Sequence, residues 1–306
     1  MECSVIICTH NPREEYLTRT LEALKIQTLP KECWELLLID NASNLSLAEK
    51  WDLSWHPNGR HIRENELGLT PARLSGIKES VGGLLIFVDD DNVLASDYLE
   101  TSQKIIRSNP NLAAIGGSTI AEYEVEPPPW LQEYAEMIAV RDILESRWSN
   151  NPDDFSSTPI GAGLVITRAL ADHYLSEVTR SPLRKSLDRC GKSLSGGGDI
   201  DLSLMSCDIG YGKGVFKPLR LVHLIPKQRM ELGYLLRLRR SMASSIVLRR
   251  HLRGESKAQM MRNFVPGFFR RAINRLRILR RSKIDRLMQS AWDAGIRDGL
   301  RSLDCL

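Results

Sequence analysis

Apolar residues in the first hundred positions follow two rhythms. The runs Ser4 to Cys8 (SVIIC), Leu36 to Ile39 and Leu84 to Val88 are almost unbroken, as expected of strands covered on both faces of a parallel sheet. Between the first two runs Leu17, Leu21 and Leu24 recur at helical spacing, and Asn11, Pro12 and Glu14 supply a cap, a first-turn proline and an early acid. Thr70 with Pro71 opens a second helix expected to reach about Glu79, after which Gly82 and Gly83 lead into the third run. Strand and helix thus alternate from residue 4 to about 107, the pattern of a doubly wound α/β sheet with its site along the carboxyl edge.

Further on, Leu112 to Gly117 is a candidate strand, and Pro127, Pro128, Pro129 and Trp130 mark a rigid break. Residues 131–147 have helical spacing, 149–159 form a polar loop, and Ile160 to Thr167 (IGAGLVIT) is apolar again. Gly196, Gly197 and Gly198 give a flexible approach to a helix that would start near Asp199 and Asp201. From Glu231 the chain is helical and basic, which divides it into an α/β domain, 1–230, and a C-terminal extension, 231–306.

Composition adds a charge boundary. Residues 217–306 carry 22 Lys and Arg against 6 Asp and Glu, whereas residues 1–216 carry 20 against 32, so that the overall charge of +4 conceals an acidic domain and a basic tail. A tail of this kind suits a polyanion, and its apolar positions choose among them. Phe268, Phe269, Ala272, Ile273 and Leu276 recur at helical spacing between Arg270, Arg271, Arg275 and Arg277, as in a helix lying on an anionic membrane surface. Packing on the α/β domain or on a second subunit is the competing reading, and no nucleic-acid recognition module is evident. The six cysteines form no C-x-x-C pair and read as reduced thiols. With neither a secretory signal nor an apolar run of about 18 residues, the expected location is the cytoplasm, with peripheral contact at the inner face of a membrane.

The third apolar run ends in Asp89, Asp90 and Asp91. Three adjacent carboxylates repel one another unless a cation sits among them, and the carboxyl end of such a strand is where α/β sheets hold ligands. A hard divalent cation bound through one or two carboxylates and the oxygens of a substrate diphosphate satisfies both conditions. Capping of the following helix is the plainer alternative.

The segments SVIICTHNP at 4–12, LLLIDNAS at 36–43, NELGLTPARLSGI at 65–77, IFVDDDN at 86–92, GAGLVITR at 161–168, GGGDIDLSL at 196–204 and HLIPKQRM at 223–230 together resemble the family 2 glycosyltransferases. The resemblance implies the GT-A fold, a doubly wound, mostly parallel sheet, here followed by a basic helical C-terminal region. It also implies metal-dependent transfer, with inversion, from a nucleotide-sugar donor to a hydroxyl of a glycan or lipid-linked acceptor. Thr9, Asp40, Arg73 and Asp89 would bind the nucleotide; Asp91, Asp89 and His223 would hold Mn²⁺ or Mg²⁺; Lys227 and Arg229 would neutralise the leaving diphosphate. Asp199 would be the catalytic base, while Asp201 and Gly163 would support the acceptor or its loop. In one respect the chain departs from the family, which usually has Glu before the base where this chain has Gly198.

Two other readings compete. A nucleotidyltransferase could use the same sheet and acids, but it requires a basic glycine-rich triphosphate loop near the first strand, and Thr9 to Glu15 contains none. A nucleotide-sugar or polyanion-binding module without catalysis is the non-enzymatic reading, and Gly198 favours it. An oligomer is compatible with either.

Overall fold

The computed structural model describes residues 1–191, 193–264 and 282–305, so the amphipathic run expected from Val265 to Leu279 lies outside the described residues. The nine strands are β1 (Cys3–Thr9), β2 (Trp34–Asn41), β3 (Gly59–Glu64), β4 (Leu84–Asp89), β5 (Asn92–Leu94), β6 (Leu112–Tyr123), β7 (Arg147–Ser149), β8 (Val165–Thr167) and β9 (Gly212–Ile225). They form one sheet in the order β3-β2-β1-β4-β8-β6-β9-β5, with β7 paired to β9 off this path. The four strands β3-β2-β1-β4 are parallel. Beyond β4 the sheet is mixed, because β8 runs antiparallel to both β4 and β6.

Apolar alternation places the core on both faces. Val5, Ile7, Leu36, Leu38, Ile86 and Val88 point to one side with Leu17, Leu21 and Leu24 of helix α1 (Glu14–Lys25). Ile6, Leu37, Ile39, Leu85 and Phe87 point to the other, against α2 (Leu69–Glu79) and α4 (Arg168–Arg180). The remaining helices are α3 (Tyr98–Ser108), α5 (Pro182–Lys185), α6 (Gly198–Asp208), α7 (Leu232–Leu252), α8 (Lys257–Phe264) and α9 (Lys283–Ser302). Helices α7 and α9 cross closely because α9 has glycines at the contact: a Cβ on Gly295 would stand 2.7 Å from that of Ala243. Among the described residues no helix is long and apolar enough to cross a membrane.

Two local expectations are corrected. Asn11 does not cap α1, which begins after Arg13 without a side-chain cap; instead Asn11 adopts φ +49° and its Oδ1 accepts from Asn44 N at 2.9 Å, joining the loops after β1 and β2. Residues 131–147 are not one helix either. Tight 3-10 turns end at Ile138, Ala139 turns with φ +59°, and the chain then extends so that Arg141 pairs with Thr119 before β7. Leu131 and Ile138 still find burial, against Leu235 and Leu238 of α7, so their apolar spacing serves packing without a regular helix.

Candidate active site

In-register pairing brings the carboxyl ends of the parallel strands level, with Thr9 opposite Asp40 and Cys8 opposite Asp89. These ends open into a cavity of about 1070 Å³. Thr9, Arg73, Asp89, Asp90, Asp91, Asp199, His223 and Arg229 all line it, although they come from six separated stretches of chain. Helix α7 forms a further wall with Tyr234, Leu238, Met242, Ile246 and Arg249, so the cavity straddles the boundary expected at residue 230.

The three acids are treated unequally. Asp90 receives the hydroxyl of Thr9, yet burial and the neighbouring carboxylates push its pKa up to about 7. Asp89 is likewise raised, by burial first and then by Asp91. Burial opposes the charge of Asp91 too, but there Arg229 and His223 prevail and lower it to about 2. Asp91 Oδ2 lies 3.0 Å from Arg229 Nη1 and 3.4 Å from His223 Nε2, and these two nitrogens are 3.0 Å apart. The pairing of β5 with β9, Asn92 opposite His223, holds the histidine here.

A divalent cation among these acids would relieve the repulsion that raises Asp89 and Asp90. Among the described residues no three His, Cys, Asp or Glu side chains are grouped to hold a metal by themselves. A cation here would be held by one or two carboxylates and completed by oxygens of a diphosphate, the mode that a hard divalent ion accepts.

Asp199, also on the lining, sits in the first turn of α6. Its Oδ2 accepts from Gly161 N at 2.7 Å and its Oδ1 from Ile200 N at 2.8 Å. Both bonds orient a half-buried carboxylate without a partner cation in hydrogen-bond contact among the described residues, as a proton acceptor requires. Asp201 is different: only 1 % exposed, it is paired with Arg184 at 2.6 Å and stands inside the structure, away from the cavity lining. Arg73 reaches the cavity from α2 with Asp188 at 2.9 Å, and although burial works against its charge, Asp188 raises its pKa on balance.

Three other expected residues lie off the lining. Asp40 is buried, and its carboxylate receives Arg63 Nη1 at 2.7 Å and Ser43 N at 3.1 Å. Lys227 is exposed, with its backbone N–H on Glu124. Gly163 takes φ +69° where a Cβ would meet the Tyr98 ring and Leu221, and its carbonyl accepts from Tyr98 Oη at 2.6 Å, so its glycine is a packing requirement.

Among the lining residues that sequence reasoning passed over are Asp188 and Arg249. Arg249 is 8 % exposed, packs its guanidinium 5.7 Å from the centre of the Phe155 ring, and has no hydrogen bond or ion pair among the described residues. Its only detectable signal was an arginine one helical turn beyond Ser245 on a face otherwise given to Leu238, Met242 and Ile246.

Comparisons with known proteins bear on the family and the fold. The family model described as glycosyl transferase family 2 matches residues 4–166. Among curated relatives, the glucosyl-dolichyl phosphate glucuronosyltransferase of Haloferax volcanii is 25% identical over 140 residues, 44% of this chain and 43% of that protein. Glycosyltransferase AglE of the same organism is 30% identical over 123 residues, 39% and 40% of the two chains. The aligned stretches thus span less than half the length of these relatives. The poly(ribitol-phosphate) beta-N-acetylglucosaminyltransferase TarS of Staphylococcus aureus is 28% identical over 109 residues, 35% of this chain and 19% of that protein. The solved structure of its residues 1–349 superposes with a TM-score of 0.52 at 14% identity, covering 99% of this chain and 91% of that one. At that identity the likeness speaks for the fold, which is the GT-A type implied by the motifs.

Proposed function

Since the chain belongs to glycosyl transferase family 2, we propose that its cavity transfers a sugar, with inversion, from a nucleoside-diphosphate donor to an acceptor hydroxyl in glycan synthesis. The observation that carries this reading is that the acid run with Arg229 and the carboxylate of Asp199 line one cavity. Such an arrangement separates the two tasks of the reaction. Arg229 is placed to leave Asp91 for the departing diphosphate, matching its oxygens with a planar guanidinium. Asp199, held by Gly161 N and Ile200 N, is placed to take the proton from the attacking hydroxyl. Asp91 and Asp89 would hold Mn²⁺ or Mg²⁺, which supplies Lewis-acid stabilisation to the leaving group when bound. Thr9 and Arg73 would serve the nucleotide end.

Phe155, Arg147 and Arg249 also line the cavity, and we assign the acceptor to them. A nearly buried guanidinium without a bonded anion favours an acceptor that carries phosphate. Two relatives are named for phosphate-bearing compounds, glucosyl-dolichyl phosphate and poly(ribitol-phosphate), which supports the same class. TarS structures with UDP and UDP-GlcNAc support a nucleotide-sugar donor.

Thermal unfolding in the presence of UDP, GDP, dTDP or CMP, each with and without Mn²⁺, tests the donor site. One nucleoside diphosphate should raise the midpoint in the presence of Mn²⁺, as a ligand at 100 times its Kd adds about 2.7 kcal/mol. The corresponding nucleotide sugar should then be consumed in the presence of a polyol-phosphate or glycosyl-phosphate acceptor. Failure of every nucleotide to stabilise the protein would remove the reading.

A further inference from the structure

Asp188 fills the space that a side chain at position 198 would occupy. A Cβ built on Gly198 would stand 2.5 Å from Asp188 Cγ and 2.5 Å from its Oδ1, closer than real Cβ contacts allow. In a glutamate the carboxyl carbon lies two C–C bonds of ~1.5 Å beyond Cβ, about 2.5 Å away in a straight line. The carboxyl carbon of Asp188 is therefore about as far from that Cβ as a glutamate's own carboxyl carbon would be, with its oxygens turned toward residue 198. Glutamate is the residue that the family resemblance places there.

The contacts of Asp188 join two elements that line the cavity. The residue is 5 % exposed and accepts from Arg73 Nη1 at 2.9 Å, Thr70 Oγ1 at 3.0 Å and Gly198 N at 3.2 Å. Arg73 and Thr70 belong to α2, whereas Gly198 opens α6 and directly precedes Asp199. One carboxylate thus neutralises a buried guanidinium and ties down the turn that carries the base.

We propose that Asp188 is a positioning residue that replaces, from a different stretch of chain, the carboxylate usually supplied by residue 198, and thereby fixes Asp199 relative to α2. This rests on the reading of Asp199 as the base. It also reverses the meaning of Gly198: the glycine marks a relocated carboxylate and makes room for it. Loss of that carboxylate would leave Arg73 buried and unpaired, so the two positions must change together.

A double-mutant cycle reads this directly. Asp188→Gly should lower the thermal midpoint by stranding Arg73, and Gly198→Glu should lower it by driving a side chain into Asp188. The double variant should regain most of the summed loss, because one carboxylate again stands beside Arg73. Simply additive losses would show that the two positions do not share one role. Asp188→Asn keeps the volume but leaves Arg73 beside a neutral amide, so it too should lower the midpoint; assayed well below that midpoint it should lower kcat with less change in donor KM, by as much as about 10²-fold, the scale expected of a base displaced by ~1 Å. The double variant should recover kcat above either single variant. An unchanged kcat in Asp188→Asn, or a double variant no more active than the singles, would overturn the positioning role. Absence of transfer by the parent protein would instead count against the functional reading, with the midpoint cycle still deciding whether the carboxylate is shared.

Discussion

Arg229 Nη1 stands 3.0 Å from Asp91 Oδ2, so the strongest acid of the run is already paired with the cation best placed for a leaving diphosphate. Arg229 is half-buried, and the acids around it raise its pKa although burial opposes its charge. Donor binding would therefore exchange one anion for another at a fixed guanidinium, which costs less than bringing a hydrated cation into the cavity.

Removal of that cation has a measurable consequence. Arg229→Gln should weaken nucleoside diphosphate binding by roughly 10- to 100-fold, the worth of a hydrogen bond to a charged group. Titration calorimetry on both proteins, with Mn²⁺ present, checks it. Equal affinities would mean that the guanidinium remains with Asp91 and never reaches the diphosphate.

Asp199 and Asp201 are two residues apart, yet their surroundings separate their roles. Asp199→Asn should retain donor binding and lose transfer by at least about 10²-fold, the usual contribution of a general base. Asp201→Asn should do the reverse. It strands Arg184 beside a buried amide and should cost about 3 kcal/mol of stability, with a smaller loss of kcat. Kinetics and denaturant unfolding on the two variants must therefore rank them in opposite order.

The parallel half of the sheet was legible because β1, β2 and β4 are covered on both faces and must be apolar at nearly every position. Strand β3, GRHIRE, lies at the sheet edge and needs no such run, so nothing in its composition announced it. The acid run and Asp199 were legible for a related reason: carboxylates directly after an apolar strand or a glycine turn are costly unless they are used. Asp40 shows where that logic stops, since a partner absent from any motif, Arg63, has claimed it. Asp188 lay in a stretch without motif or periodicity, and its only trace was the missing side chain at Gly198.

Stability at mild acid pH should depend on His56. This ring is 3 % exposed, lies 4.1 Å from the Trp34 ring between centroids, and accepts from Asn58 N at 3.1 Å through Nδ1. Burial, with a smaller contribution from Lys31, lowers its pKa to about 4. Between pH 6.5 and 4 the unfolded chain binds a proton at this position that the folded chain does not, so stability must fall as pH falls through that window. The loss should approach about 3 kcal/mol at pH 4. His56→Gln removes the titration, so parent and variant unfolding free energies, measured by denaturant at intervals from pH 7 to 4, should converge on acidification. Curves that stay parallel would show that the ring is hydrated in the folded state.

The acceptor's charge can be read through Arg249. Its guanidinium is nearly buried beside Phe155, and burial lowers its pKa although Asp199 and Asp201 favour its charge. A cation kept in such a place without a bonded anion among the described residues is costly, and a phosphate arriving with the acceptor would offset that cost. Arg249→Gln should accordingly raise KM for a phosphate-bearing acceptor by roughly tenfold or more, the worth of a charge-assisted hydrogen bond, while donor KM stays near that of the parent. A neutral glycoside acceptor should lose nothing by the same change, because it never used the charge. The comparison therefore needs both acceptors and both proteins under one assay. Equal losses with the two acceptors would assign Arg249 to the support of the neighbouring glycine turn, from which its Nη1 is separated by only 3.6 Å at the Cβ position of Gly197.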